Sequence, residues 1–324
     1  MNILVTGGAG FIGSNLAVRL VSEDHQVTVV DDLSIGRLSN LDLIQEHHNF
    51  RFVRGSILER DVMEPLVRAA DLVFHLAAVV GVKHVLNDPL RGIRTNVQGA
   101  ELVLELAHRY GPRIVNGSSS EVYGKSLETP LREDGDRILG STRIARWSYS
   151  ESKALDEYLG FAYAQQGLRV SMVRYFSAYG PRTNPDGYGS VVTRFITQAL
   201  SGRPLTVYGD GSQTRCFTYV AETVDGTLRA GLQPAAVGQV FNIGTDHETT
   251  IRELAELVLR ATGSDCRIVA APLQEVFGRD FEEPLRRVPD TTRARTTLGF
   301  QAKVPLEEGL QMTVDWFRSA QLDD

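Results

Sequence analysis

The chain of 324 residues predicts an α/β fold, a doubly wound parallel sheet with a smaller, discontinuous α/β lobe packed on it. Three observations predict it. Short apolar runs alternate with amphipathic stretches through the first half, and a glycine-rich turn separates the first run from the first helix. Beyond Tyr179-Gly180-Pro181 the alternation turns irregular, with no long linker and no internal repeat. Apolar runs bracketed by helical patterns are what parallel strands and their crossover helices produce. A chain of this length also exceeds one ordinary core and has room for a second lobe.

Taken in order, the expected strands are residues 2–6, 26–30, 50–53, 72–76, 113–115 and 170–174. They are brief and rich in Val, Ile, Leu and Phe, as strands covered on both faces should be. Between them, residues 100–110 read as a helix with Leu102, Val103 and Leu106 on one face. Further on, helices are expected at 191–200 and 220–231 and strands at 205–208 and 239–243. Thr250 and Glu253 form a capping box that opens another helix. The expected division is one domain of residues 1–176, to which 216–246 return, and a second lobe of 177–215 with 247–324.

With 42% hydrophobic and 23% charged residues the chain falls among ordinary globular proteins. A formal charge of −6 argues against a bulk nucleic-acid binder, which carries a basic footprint, but leaves room for a phosphate-bearing ligand met by local arginines. The two cysteines, Cys216 and Cys266, make no C-x-x-C pair, which favours a reducing compartment. The first residues already read as a strand, leaving no room for a cleavable signal. No apolar run approaches the roughly eighteen residues of a membrane span, so a cytoplasmic protein is expected. The seven histidines lack metal-ligand spacing, and no metal is expected. His47 and His48 are expected to point apart on a solvated helix, and His75 to line the core or a cofactor. The mixed charges of residues 279–287 read as a solvated face, Arg287 excepted.

The strongest local signal is Thr6-Gly7-Gly8-Ala9-Gly10-Phe11-Ile12-Gly13, which follows a strand and opens a helix. Glycine permits the tight turn and lets the backbone approach a pyrophosphate at the positive helix N-terminus. The next strand ends at Asp31, the spacing of a carboxylate that accepts from a ribose 2′-hydroxyl. Asp31 and Asp32 would repel a 2′-phosphate, which favours NAD over NADP. Arg37 is the one residue that argues the other way, and it is expected to be solvent-exposed.

Tyr149 and Lys153 stand four residues apart, on one helix face. A phenol is a poor base at neutral pH, and a nearby ammonium favours its ionised form. The pair lies downstream of Ser118-Ser119-Ser120, one of whose hydroxyls is expected to hold the substrate hydroxyl that Tyr149 deprotonates.

These motifs, with His75-Leu76-Ala77-Ala78, Ser119-Ser120-Glu121-Val122-Tyr123-Gly124 and Tyr179-Gly180-Pro181-Arg182, occur in one order over the whole chain. In that order they resemble the extended short-chain dehydrogenase/reductase family of nucleotide-sugar epimerases, dehydratases and decarboxylases. The resemblance implies a Rossmann-type domain with bound NAD, a lobe for a UDP-sugar, and a homodimer joined by a four-helix bundle. It implies a catalytic triad of Ser119, Tyr149 and Lys153. Besides Tyr149 and Lys153, it places at the cofactor Gly7, Gly10, Phe11, Ile12, Gly13, Asp31, Asp32, Ser56, Ile57, Leu76, Ala77, Ala78 and Asn96. Asn96 also supports the active-site helix. At the substrate it places Ser119, Ser120, Glu121, Tyr149, Ser177, Val192, Tyr208, Arg215 and Arg287, with Arg215 as a planar fork for the diphosphate. Two positions depart from the pattern: Ser177 replaces an Asn, and Ser56 an Asp near the adenine.

Members of that family begin by oxidising the sugar at C4. In a hexuronate the C4 ketone is β to the C6 carboxylate, so carbon dioxide leaves readily. Ser119-Ser120-Glu121 and Arg286-Arg287-Val288-Pro289-Asp290 resemble two elements of UDP-glucuronate decarboxylases, which would add Glu121 and Arg287 to the catalytic groups. Arg146-Trp147-Ser148-Tyr149-Ser150 resembles the tyrosine segment of a related decarboxylase domain. The alternatives are a UDP-glucuronate or UDP-glucose 4-epimerase, a 4,6-dehydratase, and a non-enzymatic NAD-sensing regulator. Retention of both Tyr149 and Lys153 favours an enzyme. For Arg287 the bland alternative is a pairing with Glu283, and for Arg215 an internal salt bridge.

Overall fold

The computed structural model describes residues 1–184, 190–272 and 282–320. Its centre is a seven-stranded sheet of β1 (Asn2–Thr6), β2 (Gln26–Asp31), β3 (Phe50–Arg54), β4 (Leu72–His75), β5 (Arg113–Ser119), β6 (Val170–Tyr175) and β11 (Val240–Ile243). The order across the sheet is β11-β6-β5-β4-β1-β2-β3, and every pairing is parallel. The chain therefore winds outward from β1 in one direction and then from β4 in the other. Between β1 and β4 the order reverses, which opens a crevice at the C-terminal strand ends.

The crossover helices are α1 (Phe11–Ser22), α2 (Arg60–Ala69), the short α3 (Val82–Asn87), α4 (Pro89–Tyr110) and α5 (Trp147–Gln165). Pairs β7 (Ala178–Tyr179) with β10 (Thr218–Tyr219), and β9 (Thr214–Arg215) with β12 (Thr249–Thr250), lie beyond the main sheet. So does β8 (Leu205–Tyr208), paired with β13 (Ile268–Ala271). The remaining helices are α6 (Val191–Leu200), α7 (Val220–Leu232), α8 (Ile251–Thr262) and α9 (Leu306–Ala320).

Apolar side chains gather on both faces of the sheet. One cluster joins α1 and α7 through Leu16, Leu20, Val224 and Leu228; the other joins α2 and α4 through Met63, Val67, Val103 and Leu106. A third core, around Phe195, Ile196, Leu254, Val258, Leu310 and Val314, belongs to α6, α8 and α9. Ala294, Leu298 and Phe300 come from the C-terminal stretch expected in the second lobe, yet they pack into the first of these clusters.

Differences from the sequence expectation have local causes. The fifth strand runs on to Ser119, and the helix ending at Tyr110 begins at Pro89. Proline favours a first turn, and the Asp88 carboxylate accepts from the Arg91 amide at 3.0 Å as its cap. The Thr250–Glu253 capping box is present. His47 and His48 lie in a turn rather than a helix, and their rings stack with centroids 4.6 Å apart.

Candidate active site

The glycine turn stands at the crevice between β1 and β4. Gly7 takes a left-handed φ of 68°, and a Cβ there would lie 2.7 Å from the backbone of Ala77, which closes the turn to any side chain. At Gly13 a Cβ would stand 2.3 Å from the Gly7 carbonyl oxygen, so the helix rests directly on the turn. Gly10 differs: a Cβ would meet that carbonyl alone, at 3.1 Å, and its outward side is open. No side chain caps α1, and its first turn holds no acid. The leading amides, at Phe11 and Ile12, thus retain their capacity for an anion.

Asp31 ends β2 buried, its oxygens accepting from the amides of Ala9 at 3.0 Å and Leu33 at 2.8 Å. Burial pushes its carboxyl up against those two bonds. Asp32 is exposed, as is Arg37, which donates to Asn184 at 2.9 Å. The Ser56 hydroxyl accepts from the Leu58 amide, and Ile57 is buried against Gly99 of α4. Leu76, Ala77 and Ala78 are half-buried just past β4. The amides of Leu76 and Ala77 donate to the Thr6 hydroxyl, which lies 2.8 Å from His75 Nδ1. Burial, reinforced by the charge of Lys153, lowers His75 to about 3 and keeps it neutral.

On α5, Tyr149 stands by Ser119 at the end of β5. Ser119 caps the following turn, its hydroxyl accepting from the Glu121 amide at 3.2 Å. Burial pushes the Tyr149 phenol up, while Lys153 and the Ser119 hydroxyl pull it part of the way back. Burial likewise works against the Lys153 ammonium, but Asp156, 2.9 Å away, together with Tyr149 and Glu157 more than offsets it. Asn96 accepts from the Val79 amide at 2.7 Å and donates to the Ser152 hydroxyl at 3.1 Å, tying α4 to the residue before Lys153.

Beside this group lies a cluster in which three guanidiniums share two carboxylates. Arg287 grips Glu121 through both terminal nitrogens; Arg146 reaches Glu121 at 3.4 Å and Glu283 at 3.1 Å; Arg215 also pairs with Glu283. Burial opposes the charge of Glu121, yet Arg287 and Arg146 hold it far below the usual carboxylate range. The Nε of Arg287 is buried without a partner among the described residues. Residues 279–281 lie outside the described residues; of 282–287, Leu285 and Arg286 are exposed, while Glu282, Glu283 and Arg287 turn inward to partners. Glu282 accepts from Lys125 at 3.2 Å and from the Trp147 indole at 2.8 Å, and Arg286 donates to Glu248 at 2.7 Å. Glu283 takes Arg215 and Arg146, not Arg287 as weighed from the sequence.

A family model described as the NAD-dependent epimerase/dehydratase family matches residues 3–244. The chain belongs to that family. The UDP-N-acetyl-alpha-D-glucosaminuronate decarboxylase of Bacillus cytotoxicus is 42% identical over 99% of this chain and 98% of its own length. UDP-glucuronic acid decarboxylase 1 of Danio rerio is 38% identical over 97% of this chain and 72% of its own. Among solved structures, a UDP-glucose 4-epimerase from Thermotoga maritima superposes with a TM-score of 0.89 at 34% identity, covering 99% of this chain and 100% of that one. UDP-glucuronic acid 4-epimerase from Bacillus cereus does so at 0.87 and 30%, with the same coverage.

NAD is the cofactor of this epimerase/dehydratase family, and the crevice fits it: an uncapped helix N-terminus, a glycine open on one side, and a carboxylate ending β2. The nominated nucleotide-sugar residues are more scattered. Ser177 is half-buried at a positive φ of 28°, and Tyr208 lies under the Arg194 guanidinium, 3.9 Å from its ring centroid. Ser120 is buried at the head of the Ser119 turn. Val192 is packed into the third core and is 1% exposed. Sequence reasoning missed Arg146, Arg194 and Asp156 as site groups. The one available signal was the position of Arg146, three residues before Tyr149 and therefore on its side of the helix.

Proposed function

We propose that this chain is an NAD-dependent decarboxylase of a UDP-hexuronate, acting through transient oxidation at C4. The observation that carries the reading is the Glu121–Arg287 pair, set beside Ser119 and Tyr149 within a cluster carrying a surplus guanidinium. An excess of buried positive charge suits an anionic substrate. Tyr149 accepts the C4 hydroxyl proton, with Ser119 orienting that hydroxyl. Bound in the crevice at Gly7–Gly13 and Asp31, NAD would supply the hydride acceptor for C4 and, once reduced, the donor for the keto-pentose, with no net consumption. The C4 ketone lies β to the C6 carboxylate; the C5–C6 bond breaks, carbon dioxide leaves, and the electron pair moves onto the C4 oxygen as an enolate, which a proton at C5 converts to the 4-keto-pentose. Glu121 fixes Arg287 so that it orients the carboxylate out of the ring plane and guides protonation at C5. Arg215 and Tyr208 take the UDP end.

In this reading residues 1–176 with 216–246 bind NAD, while 177–215 with 247–324 receive the nucleotide sugar. The sequence elements favour UDP-glucuronate as substrate, giving UDP-xylose; the relative from Bacillus cytotoxicus favours the 2-acetamido hexuronate. An NMR time course with each sugar nucleotide tests the proposal. Release of carbon dioxide with a UDP-pentose product supports it. Inversion at C4 with the carboxylate retained would replace it with the 4-epimerase reading that the superposed structures offer.

We also propose a homodimer through α4 and α5. Leu90 and Ile93 of the first helix and Leu155 and Tyr158 of the second are exposed apolar groups. Sedimentation should give twice the chain mass, and Tyr158→Glu should return it to one.

A further inference from the structure

Asp156 has no part in the chemistry described so far, yet it is completely buried and its Oδ2 lies 2.9 Å from the Lys153 ammonium. Its other oxygen, Oδ1, is buried with no hydrogen-bond partner among the described residues. A carboxylate left half-satisfied in the interior needs a reason, and the ammonium is the polar side chain it meets. Lys153 is itself 4% exposed.

Of the other groups around that ammonium, Tyr149 and Glu157 also favour its charge, each less directly than the touching Asp156. Glu157, next along α5, is taken by Arg174 of β6 at 2.9 and 2.6 Å and accepts from Ser118 of β5. From β4, His75 is neutral. From α4, Asn96 reaches Ser152 and carries no charge. From β5, Asn116 approaches the Asp156 carbonyl at 3.5 Å, also uncharged. Tyr149 is neutral until it loses its proton. A lysine buried without a counter-charge discharges at a pH well below its ordinary range.

We propose that Asp156 is a positioning residue: it is the counter-ion that keeps the Lys153 ammonium charged beside Tyr149, where that charge offsets the burial of the phenol. The inference rests on, and deepens, the reading of Tyr149 as the group that takes the substrate proton.

Asp156 acts on Tyr149 by two opposed routes, and their signs differ. Directly, a second anion makes the phenolate harder to form. Through Lys153, it preserves the cation that makes the phenolate easier to form. Seven residues separate Asp156 from Tyr149, roughly 10 Å along the helix axis, whereas Asp156 touches Lys153. The route through Lys153 therefore wins.

The test uses the enzyme with its NAD, labelled with 13C at tyrosine Cζ and lysine Cε. Tyr149 is assigned from Tyr149→Phe, and Lys153 from Lys153→Met among only four lysines. In the wild type Lys153 should stay protonated through neutral pH; a neutral Lys153 at pH 7 overturns the proposal without any variant at Asp156. Asp156→Asn keeps the shape and removes the charge. It should raise the pH at which Tyr149 ionises by about one unit or more. A fall, or no change, means the direct route dominates or Asp156 is only structural, and the proposal is wrong. In the Lys153→Met background the same replacement should produce no rise; a rise there would show that the effect bypasses Lys153. If neither hexuronate turns over yet the tyrosine shift appears, the reaction reading fails and the counter-ion stands. Turnover with an unmoved tyrosine gives the reverse.

Discussion

Arg287 and Glu121 are 166 residues apart in sequence and meet as a fork: Nη2 donates to Oε2 at 2.8 Å while Nη1 donates to Oε1. The bidentate geometry fixes both planes, so the pair can aim a guanidinium edge at a substrate rather than merely neutralise a charge. The Arg287 side chain is 6% exposed and that of Glu121 23%. Removing Glu121 strips the buried Arg287 of its fork, whereas removing Arg287 leaves Glu121 with Arg146 at 3.4 Å.

The first prediction concerns that fork. Arg287→Met and Glu121→Gln should each slow decarboxylation more than the initial hydride transfer, so that reduced cofactor or a keto-sugar accumulates on the enzyme. Rapid-mixing absorbance with product analysis reads both. Glu121→Gln, which leaves the buried Arg287 without its fork partner, should also cost stability, by about 3 kcal/mol, as measured by denaturant unfolding. Equal slowing of both steps would take the pair out of the decarboxylation step.

Tyr149→Phe should lower turnover by at least about a hundredfold, the scale of a lost general base, with the unfolding midpoint unchanged. Its neighbours Ser119 and Lys153, both of which favour the ionised phenol, are the motive. Near-normal turnover would remove Tyr149 from the mechanism.

Asp31→Ala should weaken NAD binding and narrow the preference against NADP, since a buried acceptor at the end of β2 is lost. Calorimetric titration with both cofactors decides it, and unchanged affinity for both would place Asp31 away from the adenosine ribose.

His75 predicts an acid sensitivity. Its folded value is about 3 against an ordinary 6.5, so between those limits the unfolded chain binds a proton that the folded chain does not. Stability from this group is fully present above pH 6.5 and declines as pH falls towards 3, by about 1.4 kcal/mol per pH unit. Urea unfolding at pH 5 and pH 7 measures the slope. His75→Gln, which keeps an acceptor for Thr6, should flatten it; an identical slope in the variant would assign the effect to carboxylates.

The sequence by itself determined the parallel sheet, because strands buried on both faces must be short and apolar and because the glycine turn leaves no room for side chains at Gly7 and Gly13. Those are local properties, legible one segment at a time; so is the one-turn spacing of Tyr149 and Lys153. The continuation of the fifth strand to Ser119 was not legible, since Asn116-Gly117-Ser118-Ser119 has no strand composition and is held by pairing with β6. The charges of residues 282–287 were misread for a related reason. A run of mixed charge looks the same on a solvated face as in a buried network, and which one it is depends on partners far along the chain. Only the tertiary structure brought Glu282 to Lys125 and Trp147, Glu283 to Arg146 and Arg215, and Arg287 to Glu121. Coulomb energy and desolvation depend on distance in space and on burial, and neither is encoded in the spacing of residues along a chain.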